Sequence, residues 1–414
     1  SDENALVYDG FDGDFLLSDV LRPGKSGFNC DERCYEFGPT IDHGAANAFF
    51  QANRNLFELS DDDSREKSAD ADFTVEEDIS AAYVMASADI GNLLLTGGVR
   101  VERTETESRA FDIVFEDGDL APELPERTGS KDYTNWLPGL QARWAVSETL
   151  VVRGAWTNTI GRAQYEQLAP FRIFEVDPDG PDAFEGEVEE GNPNLEPLES
   201  MNLDASLEWY MREGGLAAVG IFYKDIDNPI FTRVTTLEDA EFEGRFFTEL
   251  ERSQPQNADS GEILGVELNL QQQFTALPAP FDGFGVSLNY TYTDSEATVF
   301  GRDDKVPFFL QSEQVGNAAL FWQRGGLELR AAVAYRSEYL DEVGEDPDSD
   351  LYIDARTQVD LKGSYAFANG LKVYLEMLNV TDEPLRFLSG GRSDRLAENE
   401  IYGWNAIAGV QYRF

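Results

Sequence analysis

Apolar and polar residues alternate along most of this chain with a period of two. In residues 401–414, Tyr402, Trp404, Ala406, Ala408, Val410, Tyr412 and Phe414 share one face. Asn405, Gly409, Gln411 and Arg413 share the other, with Ile407 as the exception. Such alternation predicts a β-strand with one apolar and one polar surface. The clearest hairpin sets Leu264, Val266, Leu268 and Leu270 against Gly265, Glu267, Asn269 and Gln271, and its return strand sets Phe284, Val286, Leu288, Tyr290 and Tyr292 against Gly285, Ser287, Asn289, Thr291 and Thr293. The same rule predicts strands over 79–87, 93–103, 137–145, 150–159, 201–210, 216–225, 327–336, 358–365 and 371–379. Gly214-Gly215, Gly325-Gly326 and Asn369-Gly370 supply turn residues that accept positive φ.

Each strand runs to about ten residues, the length a tilted membrane-crossing strand needs; strands of soluble domains are commonly about five or six. The pattern gives about thirteen long strands. Turns at one end are short, whereas connections at the other, such as 161–198, are long. That asymmetry is expected of an outer-membrane barrel. The predicted fold is therefore all-β, an antiparallel transmembrane barrel over residues 73–414, with residues 1–72 mainly one external loop region. A closed bacterial barrel normally has an even strand count. Either strands near 49–57 or 241–251 complete it, or the chain is part of a larger barrel; the loop-like start favours the second reading.

Composition narrows the choice. Mean hydropathy is -0.40, and no window offers the eighteen or so consecutive apolar residues of a spanning helix. Seventy-nine acidic against 32 basic residues give a net charge of -47, the wrong sign for a nucleic-acid partner. The acid is gathered at 60–78, 175–199, 238–251 and 341–350, read as solvated loops. Calcium capture by acidic loops such as 177–182 is the alternative, although none has the ligand spacing of an EF-hand. No other cofactor is expected.

Cys30 and Cys34 are the only cysteines and His43 the only histidine. They supply no second ligand pair for zinc, and no metal site is predicted. A small loop disulfide between Cys30 and Cys34 is the expected reading in an oxidising compartment. Neither a G-x-S-x-G elbow nor a phosphate-binding glycine loop is present, and a Ser-His-Asp site would have to use His43. No catalytic residue is assigned, and an enzyme is not expected.

Three segments carry a family resemblance. Residues 153–170 (RGAWTNTIGRAQYEQLAP), 191–210 (GNPNLEPLESMNLDASLEWY) and 375–384 (LEMLNVTDEP), with the terminal Tyr412-Arg413-Phe414, resemble the C-terminal barrel of TonB-dependent outer-membrane receptors, in the branch linked to carbohydrate uptake. The resemblance implies a 22-stranded barrel of which this chain supplies about strands 10–22, with the plug domain absent. It implies a bacterial outer-membrane location and active uptake of a scarce nutrient, most simply a glycan or oligosaccharide. The implied partners are the TonB–ExbB–ExbD energy-coupling complex acting through the plug, outer-membrane lipid, the barrel-assembly machinery through the Phe414 strand, and a surface lipoprotein. Alternative readings are a siderophore or metal-chelate receptor of the same family, a passive porin, and a soluble β-rich binding protein.

The candidate ligand-contacting residues are Tyr165, Phe171, Phe174, Tyr339, Phe387 and Arg392 in the long connections, because aromatic faces beside charged groups suit sugar rings. An acidic vestibule would repel anionic iron chelates, which favours a neutral glycan. Segments 157–162 and 191–197 are read as structural, since Gly and Pro there set backbone geometry.

Overall fold

In the computed structural model the described residues are 7–11, 16, 18, 20–21, 26–27, 36–37, 41–70, 72–181, 183–211, 214–299, 301–302, 304–344 and 346–413. Cys30, Cys34 and Phe414 lie outside them.

Among the described residues, thirteen long strands form one meandering antiparallel wall. They are β1 (Thr74–Ile90), β2 (Leu93–Glu116), β3 (Glu126–Ala145), β4 (Leu150–Gly161), β5 (Leu198–Tyr210), β6 (Leu216–Asp227), β7 (Ser260–Gln273), β8 (Phe284–Thr298), β9 (Gln314–Arg324), β10 (Leu327–Arg336), β11 (Arg356–Ala366), β12 (Leu371–Leu378) and β13 (Asn405–Tyr412). Each pairs antiparallel with the next. The register keeps the apolar rows on one surface: Val219 faces Leu268, Leu268 faces Tyr290, Tyr290 faces Gly316 and Gly316 faces Tyr335. Directly opposed residues share a face, so this surface is continuously apolar across strands. It is also solvent-accessible, with Leu264, Leu268, Leu320 and Leu329 all about half exposed or more. A soluble sheet does not carry such a surface uncovered.

The opposite face is polar and ion-paired. Arg153 bonds Glu208 at 2.6 Å and Lys362 bonds Glu376 at 2.5 Å, each across neighbouring strands. Three aromatic side chains on this face lie across paired glycines: Phe222 on Gly265, Phe321 on Gly285 and Tyr374 on Gly409. A Cβ at any of the three glycines would overlap the ring. Glycine weakens a strand by itself, and the ring covers the backbone it leaves open.

The wall is not closed. Among the described residues β1 is paired with β2 and β13 with β12, and no ladder joins β1 to β13.

β2 and β3 are 24 and 20 residues long, well beyond the ten expected. On β2 the excess begins with the run ERTETESRA, whose inward Thr104, Thr106, Ser108 and Ala110 are buried while Glu105, Glu107 and Arg109 are exposed. Its alternation pairs small polar with charged residues, which hydropathy does not register.

Two acidic segments read as solvated loops are strands as well. Arg172–Pro178 runs parallel to the upper end of β2 and antiparallel to Phe184–Glu190. The latter runs parallel to Arg245–Asn257, which pairs with Ile230–Phe242. Glu175, Glu187 and Glu251 stand in register on one face of this upper sheet. On the other face Phe174, Val176, Val188, Phe247 and Leu250 form a buried cluster. Acid occupied the polar half of a period-2 pattern and hid it. The 241–251 segment therefore belongs to the upper sheet rather than to the wall, and at 49–57 the chain is the end of a helix, His43–Asn53, a turn, and the start of a short strand, Phe57–Ser60. A second small sheet joins Tyr339–Glu342, Leu351–Ile353, Leu385–Ser389 and Leu396–Glu400. The helix Asp61–Asp70 packs Ala69 against Ile113 and Leu120 at the top of β2.

Candidate functional site

All long connections leave the same end of the wall, and the site can be built only there. Its base is the upper polar face of β1–β4. Arg162, one residue past the end of β4, reaches back to β2 and β1. Its Nη2 lies 2.6 Å from Glu102 Oε2 and donates to Thr104 Oγ1 at 3.3 Å, while Nε is 3.6 Å from Glu77 Oε1. Arg100 Nε donates to the second oxygen of Glu102 at 2.5 Å. The Tyr165 hydroxyl donates to Glu77 at 3.4 Å from an otherwise exposed ring. Arg162 thus ties three strands with charge-assisted bonds at the mouth.

The GNP segment holds the neighbouring turn. A Cβ at Gly191 would run into the Ala169 carbonyl. Asn192 donates its backbone N–H to Gln167 O at 2.7 Å and its side chain to Pro255 O at 3.0 Å. Asn192 Oδ1 accepts from Asn194 N at 3.0 Å, an Asx turn.

The aromatic candidates do not converge. Phe174 is only 3% exposed and packs against Phe242 and Phe247 with ring centroids 5.6 and 5.9 Å apart. It is core of the upper sheet, which corrects its reading as a ligand contact: its alternation partner is Val176, and both point inward. Phe171 is half-buried beside Gly191. Tyr339 and Phe387 both oppose Ile353, on either side of it in the small sheet. Arg392 sits in the turn of that sheet, 3.1 Å from Asp394.

Tyr339 borders a cavity of about 440 Å³ shared with Thr293, Gln311, Glu313, Glu338 and Tyr352. The Arg336 guanidinium stacks 3.6 Å over the Tyr339 ring and donates to Ser312 Oγ at 2.6 Å and Leu310 O at 2.6 Å. Burial pushes the Glu338 carboxyl above the usual range, with Asp354 adding to it. Burial raises Asp341 too, against the pull of Arg336.

One feature of this mouth has no signal in the sequence. Arg302, 4% exposed, meets Asp350, 3% exposed, at 2.5 Å, bridging two long connections. The same guanidinium takes Asp304 in a two-point bond at 2.9 and 2.6 Å, and Gly344 N–H caps Asp350 Oδ1 at 2.9 Å. Arg302 is held above its ordinary value, first by the Asp304 hydrogen bonds, and Asp304 is held below its own by Arg302.

Among the described residues no group of three or more His, Cys, Asp or Glu is placed to hold a metal ion. His43 opens a helix capped by Asp42, whose side chain accepts from Ala45 N at 3.0 Å.

The model of the TonB-dependent receptor-like β-barrel family matches residues 7–380, and the chain belongs to that family. Its place is accordingly the bacterial outer membrane, and the family comprises transport receptors, not enzymes. Over 263 residues it is 26% identical to the iron-regulated outer membrane virulence protein of Vibrio cholerae serotype O1, covering 63% of this chain and 38% of that protein. Among solved structures it is similar to the ferric enterobactin receptor of Pseudomonas aeruginosa (TM-score 0.52, 16% identity, 86% of this chain and 56% of that one). It is also similar to the ferric-catecholate import receptor Fiu of E. coli K12 (TM-score 0.55, 13% identity, 82% and 45%). The chain thus spans less than two thirds of the length of each.

Proposed function

We propose that this chain is the strand-rich C-terminal portion of an outer-membrane receptor that imports a ferric chelate with energy from the TonB system. The observation that carries the reading is the sequence relationship to a protein named for iron regulation and the outer membrane. The solved neighbours named for ferric siderophores agree with it in fold. The carbohydrate branch suggested by residues 153–170 has no counterpart among these relatives.

The acid behind the electrostatic objection to an anionic chelate is gathered in rows on the upper sheet. Glu175, Glu187 and Glu251 line one face of the upper sheet, and Asp177, Glu185, Glu249 and Glu238 form the next row. A ligand meets the local field at the mouth rather than net charge, and at its base Arg100 and Arg162 offset Glu102 and Glu77.

A wall that is not closed cannot stand alone in hydrocarbon, because unpaired backbone groups there cost several kcal/mol each. Further strands of the same receptor would close the wall, making these thirteen the last of 22, and a plug would fill the polar lumen. Residues 1–72 would form one long external connection. The plug would carry the contact to the TonB–ExbB–ExbD complex.

Uptake of radiolabelled iron decides between readings. Iron-starved cells whose only chelate receptor is the full-length protein are offered ferric enterobactin or ferric citrate, with and without TonB. Accumulation that requires both receptor and TonB is expected. Receptor-dependent uptake of labelled oligosaccharides, with no iron accumulation, would overturn the ferric reading.

A further inference from the structure

The lipid-facing surface of β7–β12 is not smooth. An upper groove of about 630 Å³ runs over Gly316 and Ala318, with Leu288, Tyr290 and, beyond them, Leu268 and Leu270 on one side and Val333 and Tyr335 on the other. A lower groove of about 740 Å³ runs over Ala331 and Gly363, between Leu320 and Trp322 and between Leu361 and Leu375. The polar residues that border them (Asn289 and Asn317 above, Arg330 and Lys362 below) hold alternate strand positions, whose side chains project to the lumen face.

Each groove opens at an aromatic level. At the upper mouth the Tyr290 hydroxyl donates to Gln314 Oε1 at 3.1 Å. At the lower mouth the Trp322 indole donates to Pro280 O at 2.9 Å. Tyr and Trp rings with one wet end belong at the headgroup level of a membrane. The grooves therefore enter the hydrocarbon from opposite leaflets.

The glycines give an independent indication. At Gly265, Gly285 and Gly409 a side chain would displace the aromatic ring that lies across the glycine. At Gly316 an added Cβ would meet the Tyr290 ring at 3.5 Å and Asn289 O at 4.0 Å, and at Gly363 Leu329 at 3.5 Å. These are ordinary contacts, and neither glycine has positive φ. Backbone geometry does not require glycine at either position, and glycine weakens a strand. What its absence of a side chain leaves is the space of the groove.

We propose that the two grooves are binding sites for acyl chains of membrane lipid, one chain from each leaflet. The surrounding solvent is hydrocarbon, so burial from water supplies no preference. The preference comes from contact: a chain in the groove meets rigid apolar side chains on three sides, which sum many small dispersion gains. A straight saturated chain suits such a groove, because it gives up the fewest conformations on entering.

Native mass spectrometry of the full receptor after exchange into mild detergent tests this. Wild type is expected to keep lipid-sized mass additions. Filling the upper groove with Gly316→Leu and Ala318→Leu should lose one, and Ala331→Leu with Gly363→Leu should lose another. Ala142→Leu, outward but on neither groove, should lose none. Additions that persist in both filled variants, or a wild type stripped of lipid by the detergent, would overturn the proposal. If a leucine pair fails to give a heat-modifiable barrel, Gly316→Ala with Ala318→Val provides a smaller filling with the same two outcomes.

Discussion

Arg302 and Asp350 are the most deeply buried ion pair in the long connections, and they belong to segments 48 residues apart. A buried pair is weak evidence of net stabilisation, because each charge loses its hydration. Removing one partner is a different matter. Arg302→Met is predicted to weaken the mouth by about 3–5 kcal/mol, since it strands a buried carboxylate. Replacing Asp350 by leucine as well should restore most of that loss. Hydrogen exchange over residues 339–353 reads both; equal protection in wild type and Arg302→Met would show that the pair does not hold the connections together. Asn379 shows a residue whose role was partly legible. The N-V-T-D run marked the family, and in the structure Asn379 adopts φ +52°, donates to Glu383 O at 3.1 Å and Gly403 O at 3.3 Å, and accepts from Glu383 N at 2.9 Å. It closes the base of the last long connection. The motif could be read in the sequence, but the partner 24 residues away could not.

At the scale of elements, what the sequence made legible depended on which residues filled the polar half of each strand. Hairpins with Gly, Ser, Asn and Thr opposite Leu and Val were read with the right faces and turn, as at β7 and β8, although both strands run several residues further at their upper ends. Where Glu filled that half, as in Phe184–Glu190, the same period was taken for a solvated loop. Phe174 was misjudged for a related reason: aromatic type alone does not say whether a loop has its own core, and Phe174 is part of one. The small sheet at the mouth also carries a pH signature. Asp304 is depressed by Arg302, so its contribution is present above the unfolded aspartate value of about 3.9 and lost as pH falls through the lower folded value. Glu338 and Asp341 are raised, chiefly by burial. Their contribution is present below unfolded values of about 4.3 and 3.9 and lost as pH rises through the higher folded ones. Protection of residues 339–353, corrected for intrinsic exchange, should therefore be greatest at mildly acidic pH and fall on either side. A profile flat from about pH 3 to pH 8 would contradict the assignment of these three groups.

At the scale of the molecule, one surface explains most of the chain. Period-2 strands put hydrocarbon-compatible side chains outside and a paired polar face inside, and the connections at one end grow into folded sheets. Trp136 and Trp144 lie on one strand eight residues apart, about 27 Å along it, or about 20 Å of height at the usual tilt, most of the roughly 25 Å apolar band between two aromatic girdles. The alternation was visible in the sequence because lipid and water impose opposite demands on successive residues. What stands beside β1 and β13 was not, because pairing partners leave no mark within either strand.

The most direct test of this account labels both faces of one strand. In a receptor carrying Cys30→Ser and Cys34→Ser, single cysteines are placed along β7 in intact outer membranes. Positions 267, 269 and 271 are predicted to react with a water-soluble maleimide, and positions 266, 268 and 270 to resist it while reacting with a lipid-borne probe. Equal reaction of both sets with the aqueous reagent would contradict a membrane-spanning wall.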